Sequence, residues 1–209
     1  MKIKKIAVLL IVLSLPVILY LFLTYFGNNE FDLPVYFADG NDHCAEFKRL
    51  EEVSEPFTWH GNSAVLSEIL EGNINMVNFP NPEADNQQLI NELNRLVATL
   101  SDEGSVKVHS FYLSGSVLSD QQLLESEAAQ TYEIDTVLYK SFADCYFALP
   151  TAIWEGRHPS EMELRREQVL VLVDENLDIR GYYDGLETKD VDRLILEIRI
   201  LLSNRPNEN

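Results

Sequence analysis

An uncharged stretch of 21 residues, Ile6–Phe26, constrains the fold of this chain more than any other feature of its sequence. At about 1.5 Å per residue, a helix of that length crosses a hydrocarbon core of about 30 Å. Three lysines precede the stretch, and positive charge holds that end of a membrane protein in the cytoplasm. We therefore predict a cytoplasmic stub and single-pass anchor over residues 1–27, a linker over 28–32, and a periplasmic remainder.

A cleavable signal peptide is the alternative, since it has the same basic start and apolar centre. Two features favour a retained signal-anchor in the cytoplasmic membrane. The apolar run is longer than the roughly 7–15 residues of a signal-peptide core. No small-x-small cleavage site follows Phe26. Retention is the prediction, and cleavage stays open.

Acidic side chains dominate the rest of the chain. Three of the 16 Lys and Arg residues precede the apolar stretch, so 13 basic residues stand against 34 acidic ones after it, a formal charge of −21. Such a surface repels nucleic acid and anionic lipid headgroups. The predicted partners are the lipid bilayer, through the N-terminal helix, and an unidentified protein; nucleic acid is excluded.

Hydrophobic periodicity predicts one α/β domain with mixed strand pairing over residues 33–204 and a polar tail over 205–209. Alternating or continuous apolar runs predict these strands: Leu33–Phe37, Phe57–Gly61, Ile74–Phe79, Val106–Leu113, Gln168–Asp174 and Asp178–Tyr183. Apolar residues at spacings of three and four, together with capping residues, predict these helices: Ser63–Leu70, one between Asp85 and Gly104, Asp120–Tyr132, and a last one from Thr188 or Asp190.

Residues 133–165 follow no clear period but are rich in aromatic side chains. These side chains belong either to the core or to an exposed interface. The core is the prediction, because large aromatic side chains are usually buried. The residues concerned are Tyr139, Phe142, Tyr146, Phe147 and Trp154.

The chain has two cysteines, Cys44 and Cys145, and no CxxC or CxxxC pair. That spacing argues against a local dithiol redox centre. In an oxidising compartment the two thiols can form one structural disulfide; two independent buried thiols are the alternative. His43 adjoins Cys44, but neighbours on an extended chain point to opposite faces, so a shared metal ion is not predicted.

A specific pattern ends the chain over Val171–Leu202: VLVD, a tight turn, IRGYYDG, a short acidic linker and an amphipathic helix. This block resembles the end of Sco/SenC proteins, which are thioredoxin-fold factors in copper delivery to cytochrome oxidase. Weaker similarity extends upstream through Pro56–Gly61 and Glu71–Phe79. The resemblance implies a thioredoxin-like fold, a mixed central sheet flanked by helices, behind a single N-terminal transmembrane helix.

The resemblance also implies where copper or thiol chemistry would lie. Family members carry CxxxC between the central strand and the long helix, and a His before the VLVD strand. Alignment places Pro82, Asn86 and Arg166 at those positions. None of them supplies a thiolate or an imidazole, which are the ligands that Cu(I) prefers. We therefore predict a degenerate member with no catalytic, cofactor-binding or metal-binding residue.

Two functions compete on this basis. The first is a non-catalytic, membrane-anchored binding or assembly module that needs no cofactor. The second is a divergent copper-binding or thiol-redox factor that uses Cys44 and Cys145. As a disulfide it requires their Cα atoms to lie within about 7 Å of each other. The first is the prediction, because the scaffold motif is present while the family's ligands are replaced.

Overall fold

The structure is a computed structural model, and it describes residues 13–22, 33–38, 44, 48–59, 62–81, 84, 86–115, 126–149 and 166–205. The chain divides into two units, Met1–Asp32 and Leu33–Asn209. In the first unit, residues 13–22 are helical. Among the described residues, no helix has both the length and the apolar character needed to cross a membrane. The ends of the predicted anchor and the linker lie outside those residues.

The described part of the second unit alternates strands with helices. Its strands are β1 Pro56–Trp59, β2 Asn62–Val65, β3 Ile74–Asn78, β4 Val106–Leu113, β5 Ala129–Ile134, β6 Val169–Val173 and β7 Ile179–Asp184. Its α-helices are α1 Leu66–Leu70, α2 Gln87–Thr99, α3 Thr136–Lys140 and α4 Thr188–Ser203. A π-helix, Ser141–Tyr146, follows α3, and two 3-10 turns span Leu50–Glu52 and Arg166–Gln168.

A five-stranded sheet in the order β5-β4-β3-β6-β7 organises this unit, and β1 and β2 form a separate hairpin. Strands β3, β4 and β5 run parallel to one another. Strand β6 pairs antiparallel with both β3 and β7. The predicted α/β plan with mixed pairing is therefore confirmed.

The sheet separates two hydrophobic clusters, so its central strands are covered on both faces. One cluster holds the inward faces of α2 and α4 together with Ile74 and Met76 of β3. The other holds Val77 of the same strand, the aromatic side chains around the π-helix, and the β1 strand. Every residue of β3 and of β6 is buried, which accounts for the continuous apolar run in β6.

Three predicted elements differ from the structure. Residues 33–37 do not form a full strand; a single bridge joins Tyr36 to Ile179. The segment Ser63–Leu70 is divided between β2 and α1, because its first residues pair with β1 instead. The end of the predicted helix Asp120–Tyr132 is the strand β5, whose pairing with β4 outweighs its weak helical pattern.

The predicted burial of aromatic residues in the irregular region is confirmed where the structure describes it. Phe142 and Phe147 are fully buried, and Tyr146 is nearly so. Tyr139 is half-buried and packs edge-on against Phe79 at 5.6 Å between ring centroids. Trp154 lies outside the described residues.

In the IRGYYDG segment, Tyr183 of the edge strand β7 links the sheet to helix α4. Its hydroxyl donates a hydrogen bond of 2.5 Å to Glu197 of α4, and the Arg193 guanidinium lies 4.2 Å above its ring centre. Burial and the Glu197 carboxylate both raise the pKa of the Tyr183 hydroxyl. A Cβ at Gly181 would lie 2.8 Å from Cζ of this ring. Glycine at that position is therefore what leaves room for the tyrosine.

A buried histidine joins the two central parallel strands. The side-chain amide of Asn75 donates to the carbonyls of Leu70 and Asn73, at 2.7 and 2.8 Å. Its Oδ1 is therefore the acceptor that faces Nε2 of His109 at 3.0 Å, so that ring nitrogen carries the proton. The other ring nitrogen lies 3.1 Å from the Tyr132 hydroxyl.

Burial, with a smaller contribution from Lys107, lowers the pKa of His109 from 6.5 to about 3. Between those values the unfolded chain binds one more proton than the folded chain. Above about pH 6.5, His109 is neutral in both states and the free energy of unfolding does not depend on its titration. Below that pH, this residue lowers the free energy of unfolding by up to about 1.4 kcal/mol per pH unit.

We predict that His109→Gln removes part of the pH dependence of stability. Glutamine keeps a donor for Asn75 but does not titrate, so urea unfolding at pH 7.0, 6.0 and 5.0 should show a shallower fall than in the unmodified chain. The other histidines are present in both proteins, so their contribution to the pH dependence of stability cancels in the comparison. Parallel pH profiles of the two proteins would contradict a neutral, buried His109.

Candidate functional site

A cleft of about 360 Å³ opens where the chain leaves β3 and enters α2. This is the edge of the sheet at which the resemblance places the family's ligands. The described residues that line the cleft come from the β3–α2 connection, from the first turn of α2, from the turn before β6 and from the turn after β7. They are Asn81, Ala84, Asn86, Leu89, Glu167, Gln168 and Leu186.

Asn86 fixes the connection that forms one wall of the cleft. It is the residue before α2 and it is buried. Its side-chain amide donates a 2.6 Å hydrogen bond to the carbonyl of Asn81, and its own carbonyl accepts the N–H of Ile90 at 2.9 Å. The side chain thus ties together both ends of the connection. Pro82, the other aligned position, lies outside the described residues.

Arg166 stands beside the cleft rather than in its lining. It precedes the lining residue Glu167 and forms an ion pair of 2.7 Å with Asp144 of the π-helix. Nearby, the Tyr139 hydroxyl donates to the carbonyl of Phe79 at 3.2 Å. Burial raises the pKa of that hydroxyl to about 12, against the effect of Arg166. The guanidinium is therefore held by a carboxylate, and the tyrosine stays protonated.

The floor of the cleft depends on a glycine from the IRGYYDG segment. The N–H of Gly185 donates to the carbonyl of Gln168 at 2.8 Å. A Cβ on this glycine would meet Leu89 Cδ1 at 2.5 Å and the Gln168 carbonyl oxygen at 2.9 Å. From α2, the Gln88 side chain donates to the carbonyl of Leu186 at 2.6 Å. The sequence motif thus forms part of the cleft.

The two cysteines form a disulfide away from the cleft lining. Cys44 and Cys145 are bonded; their Cα atoms are 5.5 Å apart, and the two residues are 101 positions apart in the sequence. Both residues are half-buried. Cys145 belongs to the π-helix, directly after the Asp144 that pairs with Arg166. The sequence left open a disulfide or two independent thiols, and the structure contains the disulfide.

Sequence reasoning missed Asn78, the last residue of β3. Its side chain is fully buried, and within the described part of the chain neither its Oδ1 nor its Nδ2 has a hydrogen-bond partner. A polar residue within the apolar run INMVNF was the available signal. Whether such a residue is paired depends on its three-dimensional neighbours, which the run does not show.

The histidines give no sign of a metal centre in the described residues. His109 is committed to the core through Asn75 and Tyr132, and His43, His60 and His158 lie outside those residues. Within the described ranges, no group of three His, Cys, Asp or Glu side chains is arranged to hold a metal ion.

No family model and no curated protein matches the sequence. Solved structures do match. BsSco, described as a member of the Sco family of cytochrome c oxidase assembly proteins with a disulfide switch, is 19% identical, with a TM-score of 0.53 over 76% of this chain and 98% of that one.

Two other Sco structures match at TM-scores below 0.5. Copper-bound ScoI of Arabidopsis thaliana is 14% identical, with a TM-score of 0.48 over 73% of this chain and 99% of that one. Apo Sco1 of Thermus thermophilus is 12% identical, with a TM-score of 0.49 over 71% and 90%. These three structural neighbours are Sco family proteins at low sequence identity. The fold that this chain shares with BsSco is thioredoxin-like.

Proposed function

We propose that this chain is a membrane-anchored, extracytoplasmic thioredoxin-like protein that acts as a binding or assembly module, without copper or thiol chemistry in its cleft. The observation that carries the proposal is the bonding at the aligned positions. Asn86 closes the β3–α2 connection, and Arg166 is paired with Asp144. Both side chains are thus engaged in bonds within the protein.

The donor set of the cleft does not fit Cu(I). Among the described residues, the polar side chains that line it are carboxamides and the carboxylate of Glu167. These are hard oxygen and weak nitrogen donors, whereas Cu(I) prefers thiolate, thioether and imidazole. Arg166 beside the cleft is paired with Asp144, and a guanidinium supplies no donor that suits Cu(I). The fold alone does not transfer the family's chemistry, and we therefore propose a binding role for the scaffold.

We predict that the full chain in detergent, under reducing conditions, binds Cu(I) no more tightly than its Cys44→Ser/Cys145→Ser variant. Competition with a chromophoric Cu(I) chelator measures this directly. A positive control restores the aligned ligands as Pro82→Cys/Asn86→Cys/Arg166→His, and this variant should withdraw one equivalent of Cu(I) from the chelator. Stoichiometric binding by the unmodified chain that the double serine variant loses would overturn the proposal.

The anchor is the second element of the proposal. Residues 13–22 are helical and lie inside the uncharged stretch Ile6–Phe26, which has the length needed to span a bilayer. We predict that the chain stays with membranes after alkaline carbonate extraction, and that protease added from outside digests residues 33–209. Recovery of a shortened, soluble chain would indicate signal-peptide cleavage and would remove the anchor from the proposal.

A thiol-redox function is the second candidate, and the Cys44–Cys145 bridge is the observation in its favour. Cys145 lies in a π-helix, a rare element that often marks functional sites. Reduction by an external dithiol would break this S–S bond, transfer two electrons and two protons to the cysteines, and leave the dithiol as a disulfide.

The two candidates predict different behaviour of the bridge. As a structural crosslink that closes a long loop, it should stabilise the folded domain by roughly 2–5 kcal/mol, so Cys145→Ser should lower the urea midpoint strongly. If the bridge is only a structural crosslink, the chain should not accelerate the reduction of insulin by dithiothreitol. An acceleration that Cys145→Ser abolishes would favour the redox function instead.

A further inference from the structure

Asn86 leaves a hydrogen-bond acceptor available in the cleft that it lines. Its amide nitrogen is already used, because it donates to the carbonyl of Asn81 at 2.6 Å. Its Oδ1 accepts no hydrogen bond from the described residues, and it is not closed off from solvent. Only 8% of this residue is exposed. A side chain that is more than nine-tenths buried therefore keeps one oxygen free for a ligand that donates a hydrogen bond.

Glu167 supplies a second acceptor and the charge of the cleft. It is one of the lining residues and is half-buried. Within the described ranges, its carboxylate forms no ion pair and accepts no hydrogen bond. The guanidinium of the preceding residue, Arg166, pairs with Asp144 at 2.7 Å, so that pair is neutral as a whole. Among the described lining residues Glu167 is the charged one, and it makes the cleft negative.

The N-terminus of α2 has the opposite electrostatic effect, since Asn86 directly precedes that helix. A helix N-terminus carries about half of a positive unit charge, and its influence falls off within the first turn. The Glu167 carboxylate carries a full negative charge. The chain as a whole has a formal charge of −18, and such a surface attracts cations from solution. The balance therefore favours a positively charged ligand over an anionic one.

We infer that the cleft binds the ammonium group of an alkylamine through the Glu167 carboxylate and Asn86 Oδ1. This inference rests on the proposed binding function and names the chemistry of its ligand. An ammonium group has three donors and no acceptor, which complements two free acceptors. A lysine side chain of a partner protein and a free alkylamine share this chemistry, and the experiment below distinguishes them.

The rest of the lining favours an organic cation over a metal ion. Leu89, Leu186 and Ala84 line the same cleft of about 360 Å³, and they offer apolar contact to the methylene groups of an alkylamine. A Ca²⁺ or Mg²⁺ ion takes about six or more oxygen ligands. In the described part of the chain, no group of three His, Cys, Asp or Glu side chains is arranged to hold a metal ion.

The test uses the full ¹⁵N-labelled chain in micelles of a non-ionic detergent, with Nα-acetyl-lysine methylamide as the probe. The probe should shift the NMR signals of the Asn86 side-chain NH₂ group and of the Glu167 amide, and the titration gives the affinity. Glu167→Gln keeps the shape of the side chain but removes its charge, so it should weaken binding by about tenfold or more. The matched control, Glu103→Gln, removes an exposed carboxylate between α2 and β4 and should change the affinity by less than about twofold.

Changes to the probe test the ammonium group itself. Nε-acetylation removes the charge and should abolish binding. Nε-trimethylation keeps the charge but removes every N–H donor, so it should weaken binding by about tenfold or more. Pentylamine carries the same aliphatic stem without the peptide groups. Tighter binding of the capped lysine supports a lysine of a protein partner, whereas equal or tighter binding of pentylamine supports a free alkylamine.

Several results would overturn the inference. They are equal affinity of the Glu167→Gln variant and the unmodified chain, binding of the acetylated probe, and no binding of the lysine probe or of pentylamine. Tighter binding of Ca²⁺ than of the lysine probe at the same NMR signals would also overturn it, because the cleft would then be a metal site.

The outcome separates this inference from the proposal on which it rests. Absence of amine binding together with absence of Cu(I) binding removes the ammonium ligand and leaves the binding module in place. Stoichiometric Cu(I) binding at the cysteines overturns the proposed function itself, whatever the amine probes do.

Discussion

The burial of both faces of β3 is the constraint on which the rest of the structure depends. A strand covered on both sides cannot leave a polar side chain to water, so each one must find its partner inside the protein. Asn75 meets this demand by bonding the preceding turn and the ring of His109. The histidine is in turn neutral, because a charged ring at this depth would be poorly solvated. Among the described residues Asn78 finds no such partner, and it is the last residue of the strand.

The sequence block Val171–Leu202 and the cleft are physically continuous. Gly181 makes room for Tyr183, which anchors α4 through Glu197. Gly185 brings the following turn against Gln168 and Leu89, which line the cleft. A sequence that keeps this block therefore keeps the shape of the cleft, whichever residues occupy its rim. The block thus shapes the cleft through its backbone, whereas the chemistry of the cleft depends on the side chains that line it.

The strongly periodic parts of the fold could be predicted from sequence. Strand β4 has the predicted bounds, and β6 and α4 follow their apolar patterns closely. The errors fall where the pattern is short. Ala129–Ile134 is a strand because β4 offers it a parallel partner, and residues 33–37 lack a partner for more than one bridge. In the candidate site, alignment located Asn86 and Arg166, but their bonds to Asn81 and Asp144 required the folded chain. The Cys44–Cys145 pairing was likewise open, because sequence separation does not report distance.

The two candidate functions are not structurally independent. Cys145 and Asp144 are consecutive in the π-helix, and Asp144 holds Arg166 next to the cleft-lining Glu167. Opening the disulfide would therefore alter the residue next to Asp144, whose ion pair with Arg166 lies beside the cleft. If opening the bridge changed the affinity of the cleft for its ligand by some factor, linkage requires that the ligand change the reduction equilibrium of the bridge by the same factor. The reduction equilibrium of the bridge, measured with and without a bound ligand, therefore gives the coupling free energy between the binding site and the disulfide.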